Sequence, residues 1–197
     1  MAEIIPDFTR AALLSMDLQN TIVSIYTKGH DDFLPRIVAL HNLARERGMS
    51  VFHVQVGFRP GLPEISSRNA LFGAIKNSPE WQRIFQGPAG AIHPAVAPQG
   101  SDILISKHRV SAFCGTDLDM ILRANNIETL ILMGLATSGV VLATLLHACD
   151  ADYRVIVVKD CCADRDPEVH ECLTVKVFPR LATVVDAAQL TEALQPN

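Results

Sequence analysis

Residues 129–149 read TLILMGLATSGVVLATLLHAC, twenty-one positions without an Asp, Glu, Lys or Arg. A run of that length can cross a bilayer. Its interior points elsewhere. TLILM is β-branched and leucine-rich, Gly134 and Thr137-Ser138-Gly139 interrupt it, and an alanine- and leucine-rich stretch follows. The pattern is a strand, a turn and a helix, so no membrane span is expected.

The same alternation extends in both directions. Strands are expected at 11–16, ending at Asp17, and at 50–56. Others are expected at 102–106, ending at Lys107, and at 130–133, 154–158 and 182–185. Helical spacing appears at 34–48, where Gly48 supplies the stop, and at 117–125, 140–150, 167–176 and 187–194. Pro167 suits the first turn of its helix. Apolar strands alternating with helices imply a parallel sheet covered on both faces, an α/β doubly wound three-layer sandwich.

The stretch 57–100 breaks the pattern. It carries six prolines and five glycines before its closing Gly100, more than a crossover needs. It lies where ligand loops leave such a sheet, so it is expected to lid the site or make a subunit contact, with short helices within 69–84. The whole chain, 1–197, is read as one domain with this excursion.

Composition narrows the function classes. The chain is 49% hydrophobic and 19% charged, which excludes general disorder. A formal charge of −4 supplies no basic field for nucleic acid. Five cysteines without a CxxC give no disulfide framework or zinc ribbon, and a reducing, cytoplasmic setting is expected. Cys114, Cys149, Cys161 and Cys172 are read as small buried hydrophobes, with Cys114 near the expected pocket.

Three stretches carry a resemblance: LLSMDLQNTI (13–22), SKHRVSAFCGTDLDMILRANNIETLILMGLATSGVV (106–141) and DADYRVIVVKDCCAD (150–164). They resemble the isochorismatase-like cysteine hydrolases. The resemblance implies a six-stranded sheet ordered 3-2-1-4-5-6 and an Asp–Lys–Cys triad. Asp17 and Lys107 match the first two members. The third falls on Val140, which has no lone pair and no proton to give, so thiolate attack is not expected. Family members that bind a metal use an Asp-x-His after strand two. Gln55-Val56-Gly57-Phe58-Arg59 offers neither residue, so no metal and no cofactor are expected.

The resemblance also offers a route without the thiol, cleavage of a vinyl ether. There Asp17 is the proton donor and Lys107 orients the substrate. The competing readings are a helix cap for Asp17 and a mere buried partner for Lys107. Ala136, Thr137, Ser138 and Gly139 form the turn before Val140, and the N–H groups of Gly139 and Val140 are expected to face an anion. Ser138 doubles as a helix cap. Arg59 and Arg109 are weighed as carboxylate clamps against plain ion pairs, with Asp164, Arg165 and His170 beside them. His53 and His108 lack companions at metal-ligand spacing. The expected partners are a small-molecule substrate and further copies of the chain, as a homodimer or homotetramer. The function expected is a hydrolase of a small metabolite; the alternative is a non-catalytic binding or interaction protein on the same fold.

Overall fold

A computed structural model describes residues 7–85 and 87–195. β1 (Ala11–Met16) is buried at every position, and α1 (Asn20–Tyr26) follows it directly. α2 (Phe33–Glu46) leads to β2 (Ser50–Val56). The excursion holds α3 (Ala70–Lys76), α4 (Pro79–Ile84) and the short α5 (Gly87–Gly90). β3 (Ile103–Lys107), α6 (Leu118–Ala124), β4 (Thr129–Leu135) and α7 (Leu142–Asp150) come next. β5 (Arg154–Ala163), α8 (Pro167–Cys172), β6 (Thr183–Val185) and α9 (Ala187–Leu194) complete the chain.

The six strands form one parallel sheet in the order β3-β2-β1-β4-β5-β6. Alternate side chains of the central strands enter two cores. Leu13, Ile131 and Met133 pack with Ile37, Leu40 and Leu190 on the face of α2 and α9. Leu14, Leu130 and Leu132 pack with Leu118, Leu122 and Leu145 on the face of α6 and α7. Two such faces are what continuous apolar runs require. Among the described residues no helix is long and apolar enough to cross a membrane.

Two elements depart from expectation. α1 was not anticipated: it is seven residues long and carries Thr21, Ile22, Val23 and Ile25, β-branched types that weaken a helical signal. β5 runs five residues beyond its expected end. Its pairing with β4 skips from Leu132↔Val157 to Gly134↔Cys162, so the charged Lys159 and Asp160 sit in an irregularity rather than stopping the strand.

Gly134 is required where it stands. Its φ is +141°, and a side chain there would run into the Met16 carbonyl of the neighbouring strand. The glycine lets the end of β4 close against the end of β1, which brings the two loops of the site together.

Candidate active site

Asp17 ends β1 in a left-handed conformation, φ 55°, with its N–H donated to the Val54 carbonyl at 2.8 Å. Strained non-glycine backbone of this kind gathers at functional sites. Val56 of β2 is paired with Lys107 of β3, so the lysine reaches past the end of β2 to the aspartate. Lys107 Nζ lies 2.8 Å from Asp17 Oδ2 and donates to the Arg109 carbonyl at 3.1 Å. Both side chains are buried. Asp17 Oδ1 has no hydrogen-bond partner among the described residues. Burial raises the Asp17 pKa above the ordinary carboxylate value, and the charge and hydrogen bond of Lys107, with a smaller contribution from the Val56 backbone, offset that only in part.

The β4 loop faces this pair. The Leu135–Ala136 peptide is cis. Thr137 is fully buried, its hydroxyl 2.8 Å from His170 Nδ1. The Ser138 N–H donates to Asp164 Oδ2 at 2.7 Å. The Gly139 N–H donates to the Ala136 carbonyl at 3.1 Å, so it is spent inside the turn rather than offered to an anion as the sequence suggested. Val140 is 2% exposed; it walls the cavity and packs in the same core as Phe113 and Leu145.

The arginines separate. Arg59 is exposed and pairs with Glu64 Oε1 at 2.6 Å. The Arg109 guanidinium donates to the His108 and Glu64 carbonyls at 2.6 and 3.0 Å. Both hold the start of the excursion, through a fold-back onto Glu64 that spacing does not reveal, and neither lines the cavity. Arg165 does line it, and forms no salt bridge among the described residues.

The cavity measures about 450 Å³. Asp17, Lys107, Val140 and the turn before it are among its lining residues. α1 contributes Ile22, Ile25 and Tyr26. Burial, then the charge of Asp164, raises the Tyr26 pKa; Arg165 opposes this and Asp17 adds to it. α3 contributes Leu71, Phe72, Ala74 and Ile75. α4 and the residue after it contribute Trp81, Ile84 and Phe85. The far end of the excursion is tied down: His93 N–H bonds the Leu18 carbonyl at 2.8 Å and Asn20 Nδ2 the Pro88 carbonyl at 2.8 Å. Gln19, buried, donates to the Val56 and Gly90 carbonyls at 2.9 and 2.7 Å and accepts from the Val56 N–H at 2.9 Å.

Gln19 and Tyr26 were not singled out by sequence. Gln19 sits inside the quoted LLSMDLQNTI, but nothing there marks its amide as buried. Tyr26 becomes visible only once α1 is recognised, because helical spacing then sets it near Ile22 and Ile25.

None of the five cysteines lines the cavity. Cys161 and Cys162 are buried and burial pushes both thiols up, Cys162 to about 12. Cys114 and Cys172 are exposed, against expectation. Phe113 takes the inward position of the turn, stacked on His147 at 4.5 Å, which turns Cys114 outward. Among the described residues no group of three or more His, Cys, Asp or Glu is placed to hold a metal ion.

The family model described as Isochorismatase domain matches residues 11–189. The chain is 28% identical over 191 residues to the maleamate amidohydrolase of Pseudomonas putida, spanning 94% of this chain and 87% of that protein. It is 30% identical over 189 residues to the isochorismatase family protein YecD of Escherichia coli O157:H7, spanning 93% of this chain and 95% of that one. A solved isochorismatase family structure from Burkholderia thailandensis aligns with a TM-score of 0.84 at 28% identity, over 95% of this chain and 97% of that one.

Proposed function

Because the chain belongs to the isochorismatase family, we propose that it is a hydrolase of a small anionic metabolite. It works by acid–base chemistry between Asp17 and Lys107, without a nucleophile at position 140. The observation that carries this reading is the buried carboxylate itself. One oxygen is held by Lys107, the other lacks a partner, and the residue lines the cavity. A carboxyl with its pKa raised by burial holds a proton that a surface carboxylate would have lost. Lys107 has three donors, and two are used by Asp17 and the Arg109 carbonyl, which leaves one for a substrate oxygen. Arg165 supplies the cation for a carboxylate on the substrate.

Hydrolysis of an enol ether fits these groups. The Asp17 proton passes to the enol carbon, whose π pair forms the new C–H bond and leaves an oxocarbenium ion. Water adds its oxygen to the oxocarbenium carbon, the one bonded to the ether oxygen, and returns a proton to the Asp17 carboxylate. The hemiketal then collapses to a carbonyl, the ether C–O bond breaks, and the alcohol leaves with the proton of the hemiketal hydroxyl. Amide cleavage through a thioester is a different matter, since Val140 forms no covalent intermediate.

The test is a hydrolysis screen of wild type and Asp17→Asn across vinyl ethers, amides and ureido compounds. A general acid contributes roughly 100- to 10,000-fold, so Asp17→Asn is expected to lose that much turnover. Equal activity of the two proteins removes Asp17 from the chemistry. Loss of activity on thiol alkylation, prevented by substrate, points to a cysteine instead. One observation favours a second reading, a metabolite-binding protein on the hydrolase fold: Val140 is packed into the core as an ordinary apolar residue. Tight binding of a metabolite with no turnover of any substrate class supports that reading.

A further inference from the structure

The excursion is rich in polar residues, among them Arg59, Glu64, Arg68, Asn69, Glu80 and Arg83. None of them lines the cavity. Every described residue that the excursion gives to the cavity is apolar: on α3 these fall at 71, 72, 74 and 75, and at the second helix at 81, 84 and 85. That is one face of each helix, turned inward. The polar side chains are used elsewhere. Lys76 donates to the Ile65 carbonyl at 3.0 Å and Gln82 to the Lys76 carbonyl at 2.9 Å. Packing explains Phe72 and Ile75, which join Leu62 and Ile65 in a small core of the excursion itself. Ile84 and Phe85 pack against the main core, but packing does not explain Leu71 and Trp81. Leu71 and Trp81 remain 59% and 43% exposed while lining the cavity, and Ile25 of α1 joins them at 37%. Three large apolar side chains around one opening are a surface that a ligand can cover.

We propose that the excursion is the specificity element of the site, and that it selects a substrate whose body is an apolar, ring-sized group, aryl or alicyclic, bearing a single carboxylate. This rests on the reading of the cavity as the reactive site. A cavity of about 450 Å³ has room for such a ring beside the reacting bond. Among the described residues the excursion wall offers one side-chain donor, the Trp81 indole N–H, and no acceptor, so a ureido or polyhydroxylated body would give up most of its hydrogen bonds to water without replacement.

Trp81 is the sole tryptophan of the chain and stands on the wall in question, so its fluorescence reads binding without any turnover. The probes are acetate, cyclohexanecarboxylate and quinate, the last a ring of the same size carrying four hydroxyls. Cyclohexanecarboxylate is expected to bind at least about tenfold more tightly than either of the others, given the apolar area it covers. Quinate binding as tightly as cyclohexanecarboxylate, or acetate doing so, overturns the proposal. Leu71→Ser and Ile25→Ser change exposed positions and keep the fold within reach. By calorimetry each is expected to weaken cyclohexanecarboxylate about threefold to tenfold and to leave acetate unchanged. An unchanged ratio in both variants overturns the assignment of specificity to this wall. The same titration on Asp17→Asn separates the two claims. Lost discrimination with turnover still dependent on Asp17 sinks the substrate class alone. Discrimination retained while Asp17→Asn turns over normally sinks the acid–base reading alone.

Discussion

β3 carries a buried ion pair at each end, and the two are built to opposite specifications. Asp102, just before the strand, is saturated. Its carboxylate takes Arg45 Nε at 3.2 Å and Nη2 at 2.6 Å, His53 Nε2 at 2.9 Å and the Gln99 N–H at 2.9 Å. Burial pushes its pKa up, but the hydrogen bonds from Arg45, Gln99 and His53 overcome that and hold it at about 2. Lys107, the last residue of the strand, serves an aspartate with one satisfied oxygen and one bare one. There burial prevails and the pKa rises. The difference teaches that burial alone decides neither the charge nor the role of a carboxylate. The count of hydrogen bonds decides it: a full set makes a strut, and an incomplete set leaves a group able to react.

Exchanging each aspartate for asparagine breaks or confirms that contrast most sharply. Asp17→Asn is expected to lose turnover by the factor given above, and its urea midpoint falls as well, because the Lys107 charge is left buried without its partner. Asp102→Asn is expected to lose stability alone. Removing one partner of a buried pair costs about 3 kcal/mol, so its midpoint falls while residual activity per folded molecule is kept.

The pH dependence separates the two ends again. His41, packed edge-on against His53 at 5.1 Å, is pushed down to about 3, by burial first and then by the charge of His53 and Arg45. A histidine held neutral in the folded state and basic when unfolded removes stability as pH falls below about 6.5, by about 1.4 kcal/mol per unit until its folded pKa. Urea unfolding between neutral pH and pH ~4 is expected to show that slope, with His53 and His170, whose pKa values burial also lowers, adding to it; His41→Phe is expected to reduce it, since His41 Nε2 has no partner to lose. Asp102, with its pKa lowered, adds a further loss only as pH falls from about 3.8 toward about 2. Asp17 acts in the other sense. Its raised pKa gives stability that is present at low pH and lost as pH rises through the folded value. Turnover is expected to fall over the same rise, because the acid loses its proton. Lys107→Gln removes the cation that opposes burial, so the falling limb of the rate profile moves to higher pH, on top of a lower rate.

The smallest effect is expected at Arg59. Its pair with Glu64 is exposed on the arginine side, and such pairs contribute at most about 1 kcal/mol. Arg59→Ala is expected to leave the acid–base profile in place and to shift the urea midpoint only slightly. A large rise in KM instead would bring Arg59 into contact with substrate.

Much of this arrangement is legible in the chain. The apolar runs at 11–16 and 129–133 declare buried central strands, and Gly134 with Thr137-Ser138-Gly139 declares the turn that ends one of them. Asp17 and Lys107 stand at strand ends, where an open parallel sheet presents its ligand crevice. What stays hidden depends on pairs distant in sequence. His53 and Asp102 are 49 residues apart, and neither carries a local pattern that names the other. The retirement of Arg59 and Arg109 onto Glu64 depends on how the excursion folds back. α1 is too short for its period to stand out, and with it Tyr26 goes unread. The short helices expected within 69–84 are present as α3 and α4, but the inward aim of their apolar faces makes sense only against a cavity.

Gln19 bears on the order in which the molecule assembles. Its amide joins the end of β2 to Gly90, a residue 71 positions away along the chain. Until the chain has travelled out through α3 and α4 and returned, that amide has Val56 of β2 but not Gly90. Closing so long a circuit comes late in folding, after local helices and neighbouring strands have formed. The acid and its lid are therefore expected to be completed together, at the final step, so that a chain caught halfway holds a sheet but no reaction chamber. Every molecule that has its cavity also has its excursion docked.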